Sequence, residues 1–433
     1  MTNLVTILAI IILFLFFFRI KWGIFLYLLF VFLIPSLEKC SIPFLQKWIV
    51  YNLAVLVSLG LITLKTKRIN SIKQITPFLG LFAFYFVTIF LQHELPLDYQ
   101  LGNWLGQFLR YLALPITLLA VYSEKNYDKL PSTALNISIL VACIYGLFLL
   151  NLKGFNPYIS VMLSDTEFLE NYSQGGSGRL FGRISSVFPH PMTFGVFLIC
   201  AFNYCVFKIT TSKKRLDNLF FTILLIIVTV NACLCGVRSV IGGILASILT
   251  FVIANKKGKY FVYTTLFLFI AWFAISFNHD LEQYVQSIFE SNKNSTVQGS
   301  SIAVRIEQLL GCFSEIQNNP FFGHGYNWTT YYGSIKGDHP IILAFESLIF
   351  VVLCNWGIVG CIAWVIFCKK VYQNIKKNYK ENIDPHHMQL CLMVSYLSYT
   401  CITGDYGYMM YWTIFHCIIY LEELQSFKRS SYE

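Results

Sequence analysis

Charge is what this sequence has least of. Only 12% of its 433 residues are Asp, Glu, Lys or Arg, about half the share in a soluble domain, so a water-soluble globule of this length is excluded. The acids are the scarcer sign, 22 against 32 Lys and Arg. No Asp-rich pair or Asp-x-Asp pattern stands on its polar stretches, so no divalent metal is expected, and no cofactor. Disulfide logic is missing too. Most of the 13 Cys, among them Cys143, Cys200 and Cys354, lie inside apolar runs, where a thiol acts as a small apolar side chain. Cys233 and Cys235 have no paired Cys/His spacing beside them, which excludes a zinc site. Gly175–Gly178 is not followed by Lys-Ser/Thr and is no P-loop. Low complexity and fixed-period repeats are absent. The two halves show no matching pattern of interrupted helices, which argues against a secondary transporter.

What remains is apolar. Hydrophobic residues make up 56% of the chain, with 40 Phe and 26 Tyr. A crossing of about 30 Å of hydrocarbon takes about 20 mostly apolar residues, and such runs recur at 3–18, 22–37, 48–64, 77–91, 105–122, 132–152, 192–209, 219–235, 239–254, 260–277, 342–367, 388–402 and 409–421. The first run lacks a basic start and a small-residue cleavage site, so it reads as a span rather than a removable signal. The expected fold is all-α: one polytopic membrane domain over 1–433 with about 12–13 transmembrane helices.

The net charge of +10 follows topology. Basic clusters at Arg19–Lys21, Lys65–Lys73, Lys125–Lys129, Lys208–Arg215, Lys256–Lys259, Lys369–Lys380 and Lys428–Arg429 all fall between apolar runs. Under the positive-inside rule these are cytoplasmic, and no nucleic-acid partner is implied. Alternation then leaves two sizeable external loops, 153–190 and 278–341.

Both loops are chemically unusual. The first carries Gly178-Arg-Leu-Phe-Gly-Arg183 and then Pro189-His-Pro191, so a flexible stretch delivers Arg179 and Arg183 to a helix start. In the second, Ile302, Ile306, Leu309, Leu310, Phe313 and Ile316 recur at helical spacing, with Arg305, Gln308, Cys312 and Glu315 on the other face. Such a helix would lie on the membrane with Arg305 toward a lipid-bound substrate. Arg238 sits in a break between two spans, where an arginine costs about 2.5–3.5 kcal/mol to place in hydrocarbon. An arginine at a span end can also simply snorkel to the headgroups. Arginine's fork suits phosphate oxygens, so arginines converging at the outer surface suit a lipid diphosphate.

Arg179 to Gly360 resembles the O-antigen polymerase and ligase superfamily, most closely a Wzy-type O-antigen or capsule repeat-unit polymerase. The motifs are Gly178–Arg183 with Pro189–Pro191, Val237-Arg-Ser239, Arg305, Asn319-Pro320 with Gly323-His-Gly325, and Glu346 with Gly357-Ile-Val-Gly360. Ligases of the superfamily present His-Asn where this chain has Glu346-Ser347, a departure toward the polymerases. The resemblance implies a metal-independent glycosyltransferase in a bacterial inner (cytoplasmic) membrane, multi-pass, with its active site on the periplasmic or external side. It would transfer a growing glycan on undecaprenyl diphosphate to a new lipid-linked repeat unit of a capsule or lipopolysaccharide. Its implied partners are those lipid-linked oligosaccharides, the bilayer and a chain-length regulator.

In that scheme Glu346 accepts the hydroxyl proton, Arg238 and Arg305 stabilise the departing diphosphate, and Arg179, Arg183, His190 and His324 bind substrate. His339 is an alternative base, because imidazole titrates nearer neutrality than a carboxylate. Two other readings stay open at this point. One is a ligase moving glycan to lipid A core or protein, and the other is a polysaccharide flippase or transporter.

Overall fold

The computed structural model describes residues 2–34, 72–92, 94–122, 129–152, 156–162, 183–255, 302–342, 345–405 and 407–430. Arg179 and the expected spans 48–64 and 260–277 lie outside the described residues. Among those described there are fourteen α-helices and no strand. They are α1 (Thr2–Phe18), α2 (Ile20–Leu33), α3 (Thr76–Ile89), α4 (Leu97–Tyr122), α5 (Leu130–Leu149), α6 (Pro157–Met162), α7 (Pro191–Thr211), α8 (Arg215–Leu234), α9 (Arg238–Asn255), α10 (Ile302–Glu315), α11 (Trp328–Lys336), α12 (Leu348–Lys380), α13 (Met388–Thr403) and α14 (Met409–Ser430).

Helix is the form that satisfies every backbone polar group without water. Six of these helices, α4, α5 with its 3-10 extension, α7, α8, α9 and α12, are long and apolar enough to cross a bilayer. Their outer faces carry bare apolar side chains such as Ile226, Ile253, Ile362 and Val365, a surface that fits lipid and would aggregate in water. The chain is an all-α polytopic membrane protein.

Helix starts follow local chemistry. Pro77, Pro131 and Pro191 open α3, α5 and α7, where a missing N–H costs nothing. Asp384 accepts from the N–H groups of Met388 and Gln389 at the start of α13, and Asp405 accepts from Tyr408 and Met409 at the start of α14. Between them Gly404, at φ +88°, ends α13.

Helix α13 is central, packed against α7, α9, α12 and α14. Tyr396 stacks on Trp412 of α14 at 4.5 Å, and Trp412 meets Phe78 and Phe367 edge-on. Asn203 of α7 donates to Ser395 of α13 and accepts from Ser247 of α9, a polar tie of the kind that joins helices in lipid.

Two helices depart from simple spans. The run expected at 342–367 forms a turn up to Ser347, becomes helix at Leu348 and continues to Lys380. It breaks at Gly357, whose φ is +59° and ψ −152°. The freed groups are paired by the turn Asn319–Gly325. Ile358 and Val359 donate to the carbonyls of Pro320 and Phe321, while His324 and Gly325 donate to those of Cys354 and Asn355. A broken helix at membrane depth survives only with such re-pairing. The two backbones come so close that a Cβ on Gly357 would lie 2.5 Å from the Pro320 carbonyl oxygen, and one on Gly323 2.6 Å from that of Cys354.

Helix α10 packs its mixed face inward, with Gln308 and Cys312 fully buried, against α12. Ile306, Leu310 and Phe313 are left exposed. The apolar stripe read from sequence is thus partly an outer surface, as on a helix lying at a membrane interface.

Candidate functional site

The C-terminal end of α13 gathers several of the side chains singled out in the sequence. Glu346 precedes Ser347, the N-cap of α12, whose hydroxyl accepts from Ile349 and donates to the Cys401 carbonyl of α13. Two residues further along α13, the Thr403 hydroxyl donates to Ser239, the neighbour of Arg238. Arg238 and Glu346 therefore flank one helix end. Arg183 approaches the same break between α8 and α9, where the Ile184 N–H donates to the Leu234 carbonyl.

Arg305 reaches from α10 to Glu346. One guanidinium nitrogen donates to the Glu346 backbone carbonyl and another lies 2.9 Å from its carboxylate oxygen Oε2. The side chains are 24% and 31% exposed, so the pair is reachable from outside the protein. Such a pair is worth little as stabilisation at an exposed site. Its chemical use is positional, because one rigid fork fixes both the carboxylate and the residue that carries it.

The three histidines are engaged differently. His190 caps α7, its Nδ1 accepting from the Met192 N–H at 3.1 Å. Burial and then the charge of Arg183 push its pKa down to about 4, so the cap is neutral at ordinary pH. His324 sits between Glu94, 2.6 Å from Nδ1, and the Glu315 carbonyl, 3.3 Å from Nε2, and it stacks on Trp328. His339 is buried. Its Nδ1 accepts from the N–H groups of Ile341 and Ile342, which leaves Nε2–H to donate to Glu315 Oε2 at 3.3 Å. Both ring nitrogens are thus occupied in holding the turn before α12. Of the sequence-derived residues, the structure joins Arg305 to Glu346 directly and sets Arg183, His190 and Arg238 around the same helix end. It puts His324 and His339 in a separate cluster on Glu315.

Beside this mouth lies a cavity of about 730 Å³ between α3, α4, α11, α12 and the turn joining α13 to α14, within the size range of small-molecule sites. Phe345 and Leu348, on either side of Glu346-Ser347, form part of its wall. Its other walls hold Tyr85, Tyr326, Trp356, Asn355, Arg110 and Asp405. Tyr85 lies flat on Trp356 at 4.1 Å, and the Tyr326 hydroxyl donates to Gln107 at 2.6 Å. Asp405 accepts from the Tyr396 hydroxyl as well as from the start of α14. Burial raises its pKa, against those hydrogen bonds.

None of the site residues chosen from sequence lines this cavity, and sequence reading missed Asp405 and the aromatic wall altogether. The available signals were Arg110 inside an apolar run and an Asp between glycines in Gly404-Asp-Tyr-Gly407.

No curated protein matches the chain. A family model described as O-antigen ligase matches residues 222–365, a segment from within α8 through the kink of α12 that contains Arg238, Arg305, His324, His339 and Glu346. Over that segment, about a third of the chain, the sequence is similar to the O-antigen ligase family.

Proposed function

We propose that the chain polymerises lipid-linked repeat units of a surface polysaccharide. The observation that carries this reading is the Arg305–Glu346 pair at the mouth of α12, inside the family-matched segment. The growing glycan arrives on undecaprenyl diphosphate and a hydroxyl of a new repeat unit attacks its anomeric carbon. The new glycosidic C–O bond forms as the bond to diphosphate breaks, with inversion. The hydroxyl proton passes to Glu346, and the electron pair leaves on the diphosphate, whose charge Arg238 and Arg305 meet. Arg179 and Arg183 hold the second lipid diphosphate or acidic sugars. The pair at Glu346 is the resting arrangement, and the diphosphate competes with the carboxylate for Arg305. The mouth faces the periplasmic or external side of the inner membrane.

The second reading is a ligase, the description of the matching family model. Glu346-Ser347 in place of a His-Asn pair favours polymerisation. Glu346→Gln keeps the size and the contact to Arg305 while removing the proton acceptor, and a general base contributes typically about 10² to 10⁴ in rate. Cells with this variant should accumulate single lipid-linked repeats at unchanged protein level. Full-length polymer from Glu346→Gln, with loss in His339→Ala, would instead make His339 the base.

A further inference from the structure

The cavity beside Glu346 has a composition that the transfer chemistry does not use. Its walls pair flat aromatic faces, Tyr85, Tyr326 and Trp356, with amide groups such as Asn355. Sugar rings offer the matching surfaces, C–H faces for the rings and hydroxyls for the amides. Trp356 is 6% exposed, and its indole N–H has no acceptor among the described residues. A buried donor of this kind calls for a partner, and a sugar hydroxyl supplies one.

Arg110 adds a charge. Its guanidinium lies against Gly407, where a Cβ would come within 3.2 Å of Nη1. Among the described residues it has no hydrogen-bond or ion-pair partner. The half-buried acid on the same wall, Asp405, is already bound by the Tyr396 hydroxyl and the N–H groups that open α14. One arginine with two wall acids, Asp405 and Asp338, is poorly matched to a diphosphate, which brings at least two negative charges. It is well matched to one planar carboxylate, which the guanidinium fork can take in a bidentate way.

We propose that this cavity seats the glycan of the repeat unit and that Arg110 binds a carboxylate carried by one of its sugars. The inference rests on the glycan-transfer reading and names the substrate class that reading leaves open, an acidic rather than a neutral repeat unit.

The test is equilibrium binding to the purified full chain in lipid nanodiscs. Three probes are used: the lipid-linked repeat unit extracted from cells that lack this chain, the same material after chemical reduction of its carboxyl groups, and undecaprenyl diphosphate without glycan. Carboxyl reduction should weaken binding to the unaltered chain at least tenfold. Arg110→Gln should bind native and reduced units equally, with undecaprenyl diphosphate affinity unchanged. Trp356→Phe, which keeps an aromatic ring and removes the N–H, should weaken both glycan forms several-fold and remains informative if Arg110→Gln does not fold. A repeat unit with no carboxylate, equal binding of native and reduced units by the unaltered chain, or a loss of undecaprenyl diphosphate binding in Arg110→Gln each overturns the inference. Failure to bind the repeat unit in any form overturns the glycan-transfer reading beneath it.

Discussion

Arg305 and Arg238 are tested by the same substitution. Lysine keeps the charge but loses the fork. Arg305→Lys cannot hold both the Glu346 carbonyl and its carboxylate, and Arg238→Lys cannot meet two phosphate oxygens at once. Each variant should lose most long-chain polymer when the product is resolved by size on a gel, and near-normal chains from both would reduce them to positioning charges. His190 gives a pH signature. Its folded pKa of about 4 lies below the ordinary 6.5, so the unfolded chain binds the proton more readily. Its contribution to stability is complete above about pH 6.5 and declines as pH falls toward 4. Asn is also a good helix N-cap. His190→Asn should therefore fold normally and lose less of its thermal unfolding midpoint between pH 6.5 and 4.5 than the unaltered chain. An identical acid response in the two would show that His190 is not the group responsible.

At the scale of elements, the break in α12 and the turn Asn319–Gly325 form one unit. Their four cross-pairings replace the helix bonds lost at Gly357, and both glycines have positive φ with a carbonyl oxygen within 2.6 Å of any added Cβ. Gly357→Ala or Gly323→Ala combines a disfavoured backbone with a clash and should cost about 2 kcal/mol or more. The readout is the unfolding midpoint in detergent. A midpoint unchanged in both variants would mean that the turn and the helix do not meet as described.

Much of this was legible beforehand. Asn319-Pro320, Gly323-His-Gly325 and Gly357-Ile-Val-Gly360 stand out in sequence because Pro and Gly mark irregular backbone. Their mutual pairing did not show, because local signals carry no record of which distant carbonyl a freed N–H will find. Arg305 and Glu346 were readable as scarce charges at the ends of apolar runs, whereas their ion pair depends on how α10 seats on α12. His339 has both ring nitrogens tied, to Ile341, Ile342 and Glu315, contacts that no local signal in Gly337-Asp-His-Pro340 records. The cavity stayed invisible for a related reason. Arg110 lies within α4 and Asp405 beyond α13, and only the packing of α14 on α4 brings them to one wall.

At the scale of the whole molecule, the basic loops predict the orientation under the positive-inside rule. If basic loops face the cytoplasm, α11 is external, and Ser334 on it is exposed. A cysteine at Ser334, in a background without reactive native thiols, should label with an impermeant reagent in intact cells. Labelling only after permeabilisation would invert the topology. Polymerisation makes a stronger demand, that one kind of substrate serve as both donor and acceptor. The decisive measurement is reconstitution of the purified chain in liposomes with single lipid-linked repeat units and nothing else. Polymerisation predicts a ladder of products growing one repeat at a time, reduced to single units by Glu346→Gln. Repeat units that stay single until lipid A core or an acceptor protein is added would contradict it and make the chain a ligase.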